Sequence, residues 1–161
     1  MSNRIVILNG PNLNMLGRRE PSIYGTESME QIMVCLQRRY PDVRFTYLQS
    51  NHEGDLIDWM QEYAMQNAEC TMHNGLPCDG IVLNAGGYTH TSVALRDAVA
   101  MAQVPVVEVH ISDIRQREPF RRVSLLTEVC AHTIMGIGTR CYEEAVAWII
   151  KKTERLLTCN C

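Results

Sequence analysis

Lysine is nearly absent from this sequence: of 15 basic residues among 161, only Lys151 and Lys152 are lysines, side by side in the last apolar-periodic segment. That leaves no amine in the body of the chain for Schiff-base chemistry. An excess of positive charge is missing too. With 15 Lys+Arg against 18 Asp+Glu, a formal net charge of −3 and a pI near 5.9, the chain carries no electrostatic footprint for nucleic acid. Long apolar runs are lacking: the longest, Ala145 to Ile150, is far short of the ~20 residues of a membrane span. Ile5 to Leu8 is likewise too short for a secretory core, so no membrane partner and a cytoplasmic location are expected. The seven cysteines (35, 70, 78, 130, 141, 159 and 161) form an odd, irregular set without any Cys-x-x-Cys. Neither a disulfide framework nor a zinc knuckle follows from them, and Cys159-Asn160-Cys161 lacks a second ligand pair. Free thiols are expected.

Cofactor motifs are equally poor. Gly136-Ile137-Gly138 lacks the third glycine of a dinucleotide fingerprint, and no segment reads as a phosphate-binding loop. Ser92 and Ser112 lie near His90 and His110, but no Gly-x-Ser-x-Gly elbow accompanies them. No redox, phosphate-transfer or metal cofactor is expected.

What is present is a core. Hydrophobic residues make up 46% of the chain, enough for one compact domain over 1–161. Apolar clusters rich in β-branched residues recur at Ile5–Leu8, Val43–Leu48, Ile81–Leu83, Val104–Val109 and Thr133–Ile137, each short enough for a buried strand. Between them the period turns helical. Met29, Ile32, Met33, Leu36 and Tyr40 share one face, as do Leu56, Trp59, Met60, Tyr63 and Ala64. Leu95, Ala98, Val99 and Ala102 form a third stripe, and Tyr142, Ala145, Val146 and Ile149 a fourth. Strands that read as continuous apolar runs are covered on both faces, so the alternation predicts an α/β fold. It is an open, doubly wound sheet of five parallel strands of about flavodoxin size, with helices on both sides. Two stretches break the pattern: Gly10 to Gly25, a lid candidate by its length, and Ser112 to Leu126, which holds Arg115, Arg117, Arg121 and Arg122 around Pro119.

Ligands of open α/β sheets bind outside the carboxyl ends of the strands, and the unusual polar residues of this chain fall there. The first strand ends in Asn9-Gly10-Pro11-Asn12, the second in Gln49-Ser50-Asn51-His52-Glu53, the third in Asn84 and the fourth in Glu108-Val109-His110. One such end alone reads as a cap or turn; four together point to a site. Glu108 and His110 are two apart on a strand, so both side chains leave the same face, and the carboxylate can hold the imidazole in one tautomer and keep it basic. That suits general acid–base work. The same pattern also fits a histidine satisfied at a strand end, while a metal would need a third ligand from His52, His90 or His132 at a spacing the chain does not supply. In Arg18-Arg19-Glu20-Pro21-Ser22-Ile23-Tyr24 a phenol lies near two guanidiniums, whose charge favours the tyrosinate of a base; solvated loop arginines are the alternative.

The motifs Asn9-Gly10-Pro11-Asn12-Leu13-Asn14, Leu16-Gly17, Arg19-Glu20-Pro21 and Tyr24-Gly25 resemble the opening of type II 3-dehydroquinate dehydratases. The same family pattern is met by Gln49 to Gly54, by Tyr88 to Asp97, and by Glu108 to Ser112 with Arg117 to Arg121, so the likeness runs along nearly the whole chain. It implies cofactor-free dehydration of 3-dehydroquinate to 3-dehydroshikimate, by anti elimination through an enolate, in the shikimate or quinate pathway. Tyr24 would remove the C2 proton, with Arg19 lowering its pKa, and Asn12 would hold a water that stabilises the enolate. His110, oriented by Glu108, would protonate the departing C1 hydroxyl. Asn84, Ile111 and Ser112 would bind the carboxylate, largely through backbone N–H groups, and His90 and Arg121 the ring hydroxyls. The resemblance also implies a flavodoxin-like fold and a dodecamer of trimers in which Asp97 reaches a neighbour's site. The chain departs from the family's usual residues at Asp113, Val123 and Cys141, and its stretch from Cys70 to Asp79 is longer than usual. The reading from another class is a noncatalytic flavodoxin-like module that binds a small anion at the same rim.

Overall fold

The computed structural model of the protein describes residues 3–18, 25–65 and 78–158. Five parallel strands form one sheet: β1 (Arg4–Asn9), β2 (Arg44–Gln49), β3 (Gly80–Asn84), β4 (Val106–His110) and β5 (His132–Met135). Their order is β2-β1-β3-β4-β5, the flavodoxin-like order of a doubly wound sheet. Among the described residues four α-helices accompany them: α1 (Met29–Arg39), α2 (Glu53–Ala64), α3 (Val93–Ala100) and α4 (Arg140–Thr158). Local chemistry starts two of them. Ser28 and Gln31 form a reciprocal capping box on α1, and Ser92 Oγ accepts from Leu95 N at 2.8 Å on α3, each satisfying amides that have no partner inside the helix.

Alternate side chains of the central strands feed two separate cores, as the two-residue period of a strand requires. On one face Ile5, Ile7, Val82, Val107 and Val109 meet Ile32 and Leu36 of α1 and Tyr142, Ala145, Val146 and Ile149 of α4. On the other, Val6, Leu8, Ile81, Leu83 and Val106 meet Leu56 and Met60 of α2 and Leu95 and Val99 of α3. Gly80 lets α4 press onto the sheet, since a Cβ there would stand 2.6 Å from Ile149 Cγ2. Among the described residues no helix is long and apolar enough to cross a membrane.

Strand bounds differ from the sequence pattern for local reasons. β4 starts at Val106 rather than Val104, because Pro105 has no N–H for the ladder, although its carbonyl still accepts from Ile81 N at 3.0 Å. β5 covers His132–Met135 rather than Thr133–Ile137, stopping before Gly136, whose φ of +79° leaves the extended region. The expectation of a lid over 10–25 does not hold for its first part. Residues Leu13–Met15 form a 3-10 turn, Leu13 and Leu16 are buried in the α1 face of the core, and Arg18 N closes a turn on Met15 O at 3.0 Å. Arg19 to Tyr24 lie outside the described residues. The arginine-rich segment after β4 folds into two further 3-10 turns, Ile114–Gln116 and Pro119–Arg121.

Candidate active site

The ends of β1 and β3 meet at a close backbone contact. Gly10 N donates to Asn84 O at 2.7 Å, and a Cβ on Gly10 would collide with that stretch, 2.4 Å from Ala85 O. Only glycine fits there. The chain then turns through Asn12, left-handed at φ 68°, whose N–H donates to Asn51 Oδ1 (2.9 Å) beyond the end of β2. These contacts border a cleft of about 160 Å³. Asn12, Asn84, His90, His110, Ile111, Ser112 and Arg121 all line it, so seven of the expected residues come together. Glu108 stands behind His110. Asp97 is exposed on α3 and does not line the cleft, and Arg19 and Tyr24 lie outside the described residues. Lys151 and Lys152 lie on α4 and do not line it either.

Glu108 is fully buried, at 0% exposure, yet four donors surround its carboxylate. His110 Nε2 lies 2.8 Å from Oε1; Ser124 Oγ donates to Oε1 at 2.5 Å, and Thr127 Oγ1 and Thr133 Oγ1 donate to Oε2 at 2.6 and 3.1 Å. Burial by itself drives this carboxyl up, but the bond and charge of His110 with the bonds from Ser124 and Thr127 outweigh it and hold the group below the ordinary 4.5. An ionised carboxylate only accepts hydrogen bonds, so His110 donates through Nε2, which leaves Nδ1 free of that bond on a side chain that lines the cleft. The pair therefore offers one imidazole nitrogen for proton transfer.

A carboxylate held down by the fold stabilises it above its unfolded pKa, and that contribution is lost as pH falls through the lower, folded value. Thermal melts over a pH series are expected to show wild type losing stability more steeply below about pH 4.5 than Glu108→Gln, which cannot titrate there. Parallel curves would contradict the assignment of an ionised, hydroxyl-ringed Glu108.

His90, also at the cleft, donates through Nδ1 to Val123 O at 2.7 Å, which leaves Nε2 free of that bond. Arg117 Nη1 donates to Ser112 Oγ at 3.2 Å and lines the cleft as well. Arg121 stands 3.5 Å from Glu118 Oε2 and lies over the Phe120 ring, 5.3 Å from its centroid. Two guanidiniums and two imidazoles around a small polar cleft suit an anionic, hydroxylated ligand. No group of three or more His, Cys, Asp or Glu side chains among the described residues is arranged to hold a metal ion. Cys35, Cys78, Cys130 and Cys141 are free thiols, and burial pushes the last three up to about 12.

Sequence reasoning gave no site role to Ser124, Thr127, Thr133 or Tyr142, nor to Arg117, which it noted only within the arginine-rich segment and the family pattern. Thr133 had a findable signal, because β4 and β5 pair with Glu108 opposite Thr133 once the strand order is known. Tyr142 belongs to the apolar stripe of α4 and reads as core, yet its hydroxyl bonds Asn9 and Asn84.

Sheet order and rim together define a flavodoxin-like α/β protein with a carboxylate-backed histidine at the carboxyl edge of its sheet. Comparison with known proteins narrows this. A profile described as Dehydroquinase class II matches residues 3–150. A 3-dehydroquinate dehydratase of an Exiguobacterium species is 48% identical over 149 residues, spanning 92% of this chain and 94% of the relative. One from Roseiflexus castenholzii is 44% identical over 149 residues, spanning 91% and 88%. The crystal structure of the type II dehydroquinase from Butyrivibrio crossotus is similar at a TM-score of 0.81 and 40% identity, covering 91% of this chain and 97% of that one. The chain belongs to the dehydroquinase class II family.

Proposed function

We propose that this protein is a hydro-lyase that converts 3-dehydroquinate to 3-dehydroshikimate without a cofactor, as one catalytic domain over 1–161, in the cytoplasm. The observation that carries the reading is the Glu108–His110 pair, with the imidazole lining a cleft rich in polar and cationic groups. The elimination removes a proton from C2 and the hydroxyl from C1, so it needs a base on one side and an acid on the other. Tyr24 acts as the base, its phenolate favoured by the Arg19 charge, and the electrons left on C2 are taken up as an enolate. A water held by Asn12 stabilises that enolate. His110 gives its proton to the C1 hydroxyl, which leaves as water while the enolate collapses to the conjugated product. Glu108 transfers nothing; its carboxylate balances the imidazolium and fixes the ring. Asn84 with the backbone of Ile111 and Ser112 takes the substrate carboxylate, and His90 and Arg121 take ring hydroxyls.

The conjugated product absorbs in the ultraviolet, so the purified protein with 3-dehydroquinate is expected to give a rising absorbance that a chelator does not suppress. No turnover would favour a noncatalytic anion-binding module, and chelator-sensitive turnover would point to a metal.

Asp97, exposed on α3 and away from this chain's own cleft, is assigned to the site of a neighbouring copy in a dodecamer of trimers. Asp97→Ala is therefore expected to weaken activity without lowering the melting temperature, and isolated monomers are expected to be poor catalysts. Sizing chromatography combined with activity on each fraction checks this; a fully active monomer would remove the assignment.

A further inference from the structure

Tyr142 is the bulkiest fully buried side chain among the described residues, yet its hydroxyl reaches two polar groups at the end of the sheet. It donates to Asn9 Oδ1 of β1 at 2.9 Å and accepts from Asn84 Nδ2 of β3 at 3.0 Å. A phenol has one hydrogen, an amide oxygen only accepts and an amide NH₂ only donates, so these two bonds fix one another's direction. Asn9 is held from its far side, where Nδ2 donates to Met29 Sδ at 3.4 Å. Asn84 is held at its oxygen by Gly86 N, but that bond is long at 3.3 Å. Burial drives the Tyr142 phenol far up, so it keeps its hydrogen at any working pH. Asn84 itself is 4% exposed, lines the cleft, and has one Nδ2 hydrogen without a partner among the described residues.

We propose that Tyr142 is a positioning residue, whose hydroxyl holds the Asn84 amide so that an N–H rather than a carbonyl oxygen is offered to the substrate carboxylate. Without the hydroxyl, Asn84 can turn over, and an amide oxygen facing a carboxylate repels it. The inference rests on the assignment of Asn84 to carboxylate binding made above.

The test is a double-mutant cycle of Tyr142→Phe and Asn84→Ala, read as kcat and KM separately with melting temperature alongside. Tyr142→Phe keeps the ring in the core, so it is expected to raise KM about 3- to 10-fold with kcat changed less than about 2-fold. In the Asn84→Ala background the same substitution is expected to leave KM where Asn84→Ala alone puts it. An unchanged KM in Tyr142→Phe, or an equal rise in both backgrounds, would overturn the proposal, since a residue that merely fills the core acts irrespective of Asn84. Asn84→Ala with wild-type KM would instead remove the binding assignment of Asn84 and the proposal with it, an outcome visible in that single variant. If Tyr142→Phe does not fold, Asn9→Ala takes its place. It frees the phenol hydrogen to turn toward Asn84, and it is expected to raise KM only when Asn84 is present; a wild-type KM there would also overturn the proposal.

Discussion

His110→Ala is expected to lower turnover about 10²- to 10⁴-fold, the range a positioned general acid contributes. The imidazole is the group that Glu108 orients at 2.8 Å, and it is only 6% exposed, so its loss removes the proton donor and also takes one of four donors from the buried carboxylate, and the melting temperature is read alongside the rate. Glu108→Gln is expected to cost less than His110→Ala, because glutamine keeps the shape and one acceptor while losing the charge opposite the imidazolium. Steady-state rates of the two variants, measured beside wild type, give the order directly. Near-normal turnover in His110→Ala would move the acid elsewhere, and a larger loss in Glu108→Gln would mean that the carboxylate does more than orient and balance the ring.

Tyr24→Phe is expected to reduce turnover at least ~10²-fold with a modest change in substrate affinity, because it keeps the ring and removes only the ionisable oxygen. Arg19→Ala is expected to act in the same direction, its residual rate climbing with pH as an unassisted phenol ionises near its ordinary value of about 10. The pH profiles of the two variants separate these roles: the climb belongs to Arg19→Ala and is absent from Tyr24→Phe, which has no phenol to ionise. Wild-type turnover in Tyr24→Phe would reject the base.

Much of the site was legible before any fold was known. The carboxyl ends of the strands were marked by Asn9, Asn12, Asn84 and the Glu108–His110 pair, and the two-residue spacing of that pair on a strand already placed both groups on one face. The loop from Gly10 was misread in its first half, because its glycines and prolines hide the two leucines, Leu13 and Leu16, that fasten it to the core. Two apolar residues one 3-10 turn apart are too few to stand out as a periodic signal.

Strand and helix alternation, the burial of both sheet faces, the rim location of the polar residues and the lack of a useful lysine all follow from the sequence alone. They depend on residue type and local period, which the chain displays directly. The surroundings of Glu108 do not. Ser124, Thr127 and Thr133 lie 16, 19 and 25 residues from it, and only the path of the chain after β4 and the pairing of β4 with β5 bring their hydroxyls to one carboxylate. The Tyr142 hydroxyl reaches Asn84 across 58 residues and Asn9 across 133, meeting them because α4 packs beneath the point where β1 and β3 end side by side. A buried charge or amide must find partners wherever the fold supplies them, and those partners are chosen by strand order and helix packing, which no local pattern encodes.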